Sequence, residues 1–110
     1  MDCIFCKIIA GDIPSNKVYE DDTVLAFRDI EPKAPVHILV VPKKHITGAA
    51  DVQSEDGEVI GHIFRVIAQV ADQQGLTDFR VVTNNGAGAG QTVPHLHFHI
   101  LAGRQLGEMG

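Results

Sequence analysis

No apolar run in this chain approaches the ~20 residues that a membrane-spanning helix needs. The stretch around Ile38–Val41 falls far short of it. The N-terminus lacks the basic, apolar and small-residue order of a secretory leader, so a cytoplasmic protein is expected. Basic residues are outnumbered, 9 against 14 acidic ones, for a net charge of −5. That deficit argues against a field that gathers nucleic acid or anionic membrane. A small charged ligand in a local site stays open. Cysteine occurs only twice, at Cys3 and Cys6. The two are too close in sequence to staple a fold, so the C-x-x-C pair points to metal or redox chemistry. Internal repeats, low-complexity tracts and linkers are also missing.

What is present is an ordinary globular composition, 45% hydrophobic and 21% charged in 110 residues. A chain of this length, one domain over 1–110, can bury roughly two thirds of its unfolded surface without staples. A short helix is expected over Ile4–Ala10, stopped by Gly11 with Pro14 beyond it. Val18–Glu20 and Val24–Arg28 read as short strands, and His37–Val41 as a central strand that Pro42 ends. Residues 46–54 read as a loop. Ser54 is the expected cap of a second helix, which carries Val59, Ile60, Ile63, Phe64, Ile67, Val70 and Ala71 at helical spacing and stops at Gly75. Phe79–Thr83 and His95–Ala102 are the last two strands, separated by the glycine-rich loop Asn84–Gly90. Helices and strands do not alternate. An α+β domain is therefore expected, an antiparallel sheet with helices on one face.

The chemistry concentrates in the last strand, His95-Leu-His-Phe-His-Ile-Leu101. Strand side chains alternate between faces. His95, His97 and His99 thus share one face, and Leu96, Phe98 and Ile100 bury on the other. A solvated polar face is the bland reading. A metal site is the second, but His95 and His99 stand ~13 Å apart along an extended strand at ~3.3 Å per residue. One ion with ligand bonds near ~2 Å readily takes two of them, hardly three. Acid–base or nucleophilic work is the third. A neutral imidazole can attack an electrophile while a neighbouring ring donates a proton to the leaving group. The loop ending in Gly90, Gln91 and Thr92 can aim N–H groups at an anion, a phosphate above all. A flexible hairpin is its commoner use. Together the two segments describe phosphoryl or nucleotidyl transfer.

The histidine segment resembles the His-φ-His-φ-His-φ-φ signature of the histidine triad (HIT) nucleotide-binding family, φ being apolar. The likeness extends through Phe5-Cys-Lys-Ile-Ile9, Ile13-Pro14, Tyr19-Glu-Asp-Asp22, Ala26-Phe-Arg-Asp-Ile30, Pro35–His45, Gly90-Gln91 and Gly103-Arg104, which fit its HINT branch. The resemblance implies a five-stranded antiparallel sheet with two helices, continued across a homodimer. It implies hydrolysis of nucleoside 5′-phosphoramidates, adenosine and other purines preferred. His97 matches the nucleophile that forms a nucleotidyl-histidine. His99 and His37 match groups that contact phosphate and assist proton transfer, and His95 completes the set. Asn84, Gln91 and Thr92 match phosphate and leaving-group contacts, with Gly90 beside them. Asp29 matches the carboxylate that holds the ribose hydroxyls. Ile4, Phe5, Ile8, Phe27 and Ile30 match the apolar slot for the base, although plain core packing would use the same residue types.

Some relatives carry zinc on a similar C-x-x-C with two histidines. The matching positions here are Cys3, Cys6, His45 and His95, which implies a structural Zn²⁺. The tail departs from the branch, ending Leu106–Gly110 without its Trp-Pro-Pro-Gly. A nucleotide-binding interaction protein is the rival from another class; a dinucleoside polyphosphate hydrolase or nucleotidyl transferase is the rival within the superfamily. The catalytic reading asks for a His97 ring that is free of any ion and open toward phosphorus, not buried.

Overall fold

The computed structural model describes residues 3–109. Helix α1 (Ile4–Ala10) begins at Cys3, whose sulfur accepts from the Cys6 N–H. It ends at Gly11, which takes the left-handed conformation that glycine adopts at little cost. Strands β1 (Lys17–Glu20), β2 (Val24–Arg28) and β3 (Val36–Pro42) follow. Helix α2 (Gly57–Gln73), β4 (Arg80–Val82) and β5 (Phe98–Ala102) complete the order. The five strands form one sheet in the order β1-β2-β3-β5-β4, every neighbour antiparallel.

The expectation of helices on one face is corrected. Alternate residues of β2 and β3 bury on opposite sides. Val24, Ala26, Ile38 and Val40 pack with Ile63, Val66, Ile67 and Val70 of α2. Leu25, Phe27, Leu39 and Val41 pack with Phe5 and Ile8 of α1. Burial on both faces is why β3 reads as a nearly continuous apolar run.

Three local expectations also change. Ser54 does not cap α2; it lies inside a 3₁₀ turn, Ser54–Asp56. Gln53 and Asp56 form the capping box instead, with Gln53 N–H donating to Asp56 Oδ2 at 2.9 Å. The segment 46–54 is not all loop, since a second 3₁₀ turn spans Ala49–Asp51. The last strand starts at Phe98, not at His95. His95, Leu96 and His97 are all buried but lie outside the ladder, and the Leu96 N–H bonds instead to the Ile46 carbonyl at 2.6 Å.

Gly103 joins β5 to the tail at φ +100°, and a Cβ there would stand 2.8 Å from Pro35 Cβ. Gly103→Ala therefore meets both backbone strain and a clash. We expect a loss of about 2 kcal/mol or more in urea unfolding; a midpoint equal to wild type would contradict this.

Candidate active site

The histidine face of β5 turns toward α1 and carries two separate clusters. In the first, Cys3 Sγ lies 3.3 Å from His95 Nδ1, and Cys6 Sγ lies 3.6 Å from the same nitrogen. Cys6 Sγ is also 3.3 Å from His45 Nδ1. All four ligand atoms lie within 4.8 Å of one another. Tetrahedral zinc, with Zn–S of ~2.3 Å and Zn–N of ~2.0 Å, requires S···N separations of roughly 3.5 Å. The measured spacings fit such an ion.

The His95 ring also has the correct tautomer for a ligand. Its Nε2 is 2.9 Å from the Pro42 carbonyl oxygen. A carbonyl only accepts, so the proton sits on Nε2 and the Nδ1 lone pair faces the sulfurs. This outward N–H to a backbone carbonyl is how metal-binding histidines are usually oriented. His95 is fully buried, and burial pushes its pKa below the usual histidine value. The neutral ring is the form that binds metal.

In the second cluster, His37 Nε2 is 2.8 Å from His99 Nδ1 and 3.5 Å from Asp29 Oδ2. These three groups are also close enough to one another to hold an ion. The tautomers oppose that use. His37 Nδ1 accepts from the Lys33 N–H at 3.0 Å, so a neutral His37 carries its proton on Nε2, aimed at His99. Binding a metal there would remove that proton or break the Lys33 bond. The arrangement suits proton handling. Burial lowers the pKa of His37, against the pull of Asp29. Burial, then the adjacent His97 and His37 rings, push His99 down to about 4. Near neutral pH, His99 accepts at Nδ1 and keeps its own proton on Nε2.

His97 stands between the clusters and belongs to neither. Its Nδ1 donates to the His95 carbonyl at 2.6 Å, which leaves a lone pair on Nε2. The ring is 4% exposed. It packs edge-on against Phe5 and His99, each at a centroid distance of 5.0 Å. The expected open ring is therefore corrected to a packed one, because α1 brings Phe5 onto it. Nε2 has no protein partner. It is not sealed either: among the described residues the only fully buried side-chain polar atom without a partner is Ser15 Oγ. The ring is thus held on its flanks, with Nε2 unpartnered and not completely sealed.

The remaining expected residues divide. Asp29 is tied into its turn, accepting the Glu31 N–H at 2.8 Å, while its other oxygen faces His37. Phe5, Ile8 and Phe27 belong to the α1-side core. Ile4 and Ile30 stand at the surface, 47% and 93% exposed. Gly90 adopts φ +97° and lies against Asn84, whose side chain makes no hydrogen bond among the described residues. Thr92 is exposed with a free hydroxyl.

Gln91 is committed within the loop. Its Oε1 accepts from Gly86 N–H at 2.7 Å, and its Nε2 donates to the Thr47 and Val93 carbonyls. The N–H groups of Ala89, Gly90 and Gln91 bond back into the loop as well. These four N–H groups of the expected cradle, Gly86 included, are thus spent inside the loop, while the N–H groups of Ala87, Gly88 and Thr92 and the side chains of Asn84 and Thr92 make no hydrogen bond among the described residues.

Sequence reasoning missed three supports: the Lys33 N–H, the Pro42 carbonyl and Thr83, whose hydroxyl donates to the His97 carbonyl. Only Thr83 left a trace in the sequence, as a hydroxyl at the end of a strand facing the histidine segment. A surface cleft of about 1000 Å³ lies elsewhere, between Thr23, Lys44, Asp56 and His62. Its buried Asp56 is already paired with Lys44 at 2.6 Å.

A family model described as the HIT domain matches residues 10–106. The chain belongs to the HIT, or histidine triad, family. It is 50% identical over 106 residues to a 14 kDa zinc-binding protein of Zea mays, covering 94% of this chain and 83% of that one. It is 45% identical over 108 residues to the purine nucleoside phosphoramidase of Escherichia coli, covering 96% of this chain and 91% of the relative. A HIT family hydrolase from Clostridium thermocellum superposes with a TM-score of 0.94 at 41% identity, covering 98% of this chain and 96% of that one. The five-stranded antiparallel sheet with two helices is the family's fold, and the chain is an enzyme of this family. Among the described residues, no helix of this HIT protein is long and apolar enough to cross a membrane.

The histidine pKa shifts carry a sign. An unfolded His99 binds a proton near pH 6.5, whereas the folded one waits until about 4. Between those values the unfolded state holds more protons, so stability is full above 6.5 and falls as pH drops toward 4. Wild type should lose more stability than His99→Gln across this window, by roughly 2 kcal/mol. Parallel losses in urea titrations of the two proteins would contradict the assignment.

Proposed function

We propose that this HIT enzyme, acting as one domain over 1–110, hydrolyses nucleoside 5′-phosphoramidates, purines preferred, through a nucleotidyl intermediate on His97. The observation that carries the reading is the bond from His97 Nδ1–H to the His95 carbonyl, at 2.6 Å. It places the lone pair of the neutral ring on Nε2, so that a nucleophile without negative charge can approach a phosphate. Nε2 attacks the α-phosphorus, the P–N bond breaks, and the leaving nitrogen takes a proton. In this reading the proton comes from solvent, and His99 Nε2–H, which His37 orients, hydrogen-bonds the phosphate oxygens. Water then attacks phosphorus, the P–Nε2 bond breaks, and the proton that water loses returns to solvent. The products are a nucleoside 5′-monophosphate and an amine.

Asn84 and Thr92 supply the side-chain contacts to phosphate and leaving group, while Gly90 and Gln91 shape the loop that presents them. Asp29 takes the ribose hydroxyls in this reading, through the carboxylate whose Oδ2 also faces His37. Phe5, Ile8 and Phe27 form the floor of the base slot, and Ile4 and Ile30 its rims. The purine preference is supported by the likeness to the E. coli phosphoramidase. A homodimer with a continued sheet belongs to the same reading. It is supported by β4, an edge strand with one neighbour, and by Phe64 of α2, which is 50% exposed. A cytoplasmic enzyme is proposed with it.

Zinc at Cys3, Cys6, His45 and His95 is the proposed structural ion. The spacing of the donors and the likeness to the maize zinc-binding protein support it. When bound, it would supply cross-linking between α1, the segment after β3 and the segment before β5, with no part in the reaction. Protein purified without chelators should hold about one equivalent of zinc, and Cys6→Ala well under half. We expect chelation to lower the unfolding temperature of wild type but not of Cys6→Ala. Less than a tenth of an equivalent in wild type, with both thiols titratable, would remove the ion from the reading.

Amine release from an adenosine 5′-phosphoramidate tests the reaction. His97→Gly should lose at least a hundred-fold in rate while still binding AMP. A variant that keeps more than a few per cent of wild-type turnover would dismiss His97 as nucleophile. Wild type that binds AMP yet releases no amine would favour the binding protein.

A further inference from the structure

The backbone around His97 lies outside the sheet ladder on both sides. On β3 the pairing ends at Val40 opposite Phe98. On β4 it ends at Val82 opposite His99. His97 lies one residue before the last β3 rung and two before the last β4 rung, and a strand leaving its ladder is where a backbone drifts most easily. One contact takes the place of the missing rung. Thr83, the residue after β4, donates its hydroxyl to the His97 carbonyl oxygen at 2.7 Å. The contact is half-buried and joins residues 14 apart in the chain.

We infer that Thr83 is a positioning residue for His97, its hydroxyl fixing the backbone from which the reactive ring projects. The inference rests on the reading of His97 as nucleophile for its catalytic consequence, and on geometry alone for the tether. A ring is placed by two things: where its Cα and Cβ sit, and how it is turned. The His95 carbonyl sets the turn, through Nδ1 at 2.6 Å. Thr83 sets the first, because the carbonyl it holds belongs to His97 itself. The two bonds pull on neighbouring peptide groups of one short segment, so loosening one loosens the other. The γ-hydroxyl reaches that carbonyl from a single χ1 setting, and a β-branched residue is stiff at χ1 in a strand. Valine keeps the branching and volume and removes only the donor.

Losing the tether leaves the half-buried carbonyl without its partner and allows the ring to shift by a fraction of an ångström. A full ångström of misplacement costs up to about a hundred-fold in rate. About a ten-fold fall is expected for the smaller shift.

The test compares Thr83→Val, Thr83→Ser and His97→Ala with wild type. Single-turnover amine release from an adenosine 5′-phosphoramidate, AMP affinity, and solvent exchange of the His97 Nδ1 proton by NMR are measured. Thr83→Val should release amine about ten-fold more slowly, bind AMP within two-fold of wild type, and exchange the Nδ1 proton several-fold faster. Thr83→Ser should restore rate and exchange to within two-fold. The inference is overturned if Thr83→Val matches wild type in either rate or exchange. It is overturned too if AMP affinity falls in step with rate, or if the serine variant is as impaired as the valine one. Should Thr83→Val not fold, Thr83→Ala carries the same expectations. Full turnover by His97→Ala would overturn the nucleophile reading alone, and the proton exchange would still judge the tether.

Discussion

The 2.6 Å bond between His97 Nδ1 and the His95 carbonyl is the contact on which the site is organised. A neutral imidazole has one N–H, and here the carbonyl accepts its hydrogen bond at Nδ1. The lone pair of that tautomer is on Nε2, on the far side of the ring from this bond. The bond also couples two tasks. The residue that accepts it is His95, whose own ring lies in the thiol cluster 3.3 Å from Cys3. Whatever holds the His95 ring therefore steadies the carbonyl that orients His97.

Each of the neighbouring rings is defined by a backbone group. His95 gives a proton to the Pro42 carbonyl, and His37 takes one from the Lys33 N–H. These bonds have opposite polarity and opposite consequences. The first leaves an inward lone pair, fit for a cation. The second leaves an inward N–H, fit for orienting His99. Residue type alone does not distinguish the clusters, since both mix histidine with anionic or thiol partners and both are compact. The polarity of one backbone hydrogen bond does. Burial reinforces the choice, holding His37, His95 and His99 in the neutral form that either task needs.

The pattern of faces was legible because side-chain direction in a strand is local and has period two. His95, His97 and His99 emerge on the α1 side, and Leu96, Phe98 and Ile100 on the α2 side. The ~13 Å limit along a strand correctly kept the histidines from sharing one ion. The tautomers were not legible. They depend on the Pro42 carbonyl, 53 residues from His95 in the chain, and on the Lys33 N–H, which the turn before β3 aims at His37. The closed glycine loop was hidden for a related reason. Gln91 reads as a donor for a ligand, yet its amide finds Thr47, 44 residues away, before any ligand arrives. Helices on both faces were missed because a seven-residue helix carries little periodicity, while its contribution to burial is set by what it covers. The ladder start at Phe98 was not legible because the Leu96 N–H bonds to the Ile46 carbonyl, 50 residues away in the chain, instead of to β3.

Helix α1 explains why catalytic and thiol clusters can share one short segment without merging. Cys3 and Cys6 lie one turn apart and both face the His95 ring. Phe5 sits between them in sequence but turns its edge to His97, and it also touches Phe27 at a centroid distance of 5.6 Å. The helix thus places thiols against one histidine and an apolar ring against the next. An apolar wall beside His97 stiffens the plane that carries the lone pair. A polar residue at Phe5 would keep the thiol cluster intact and lose that support. Separation of the two chemistries therefore resides in a single side chain of α1 as much as in the spacing of the histidines.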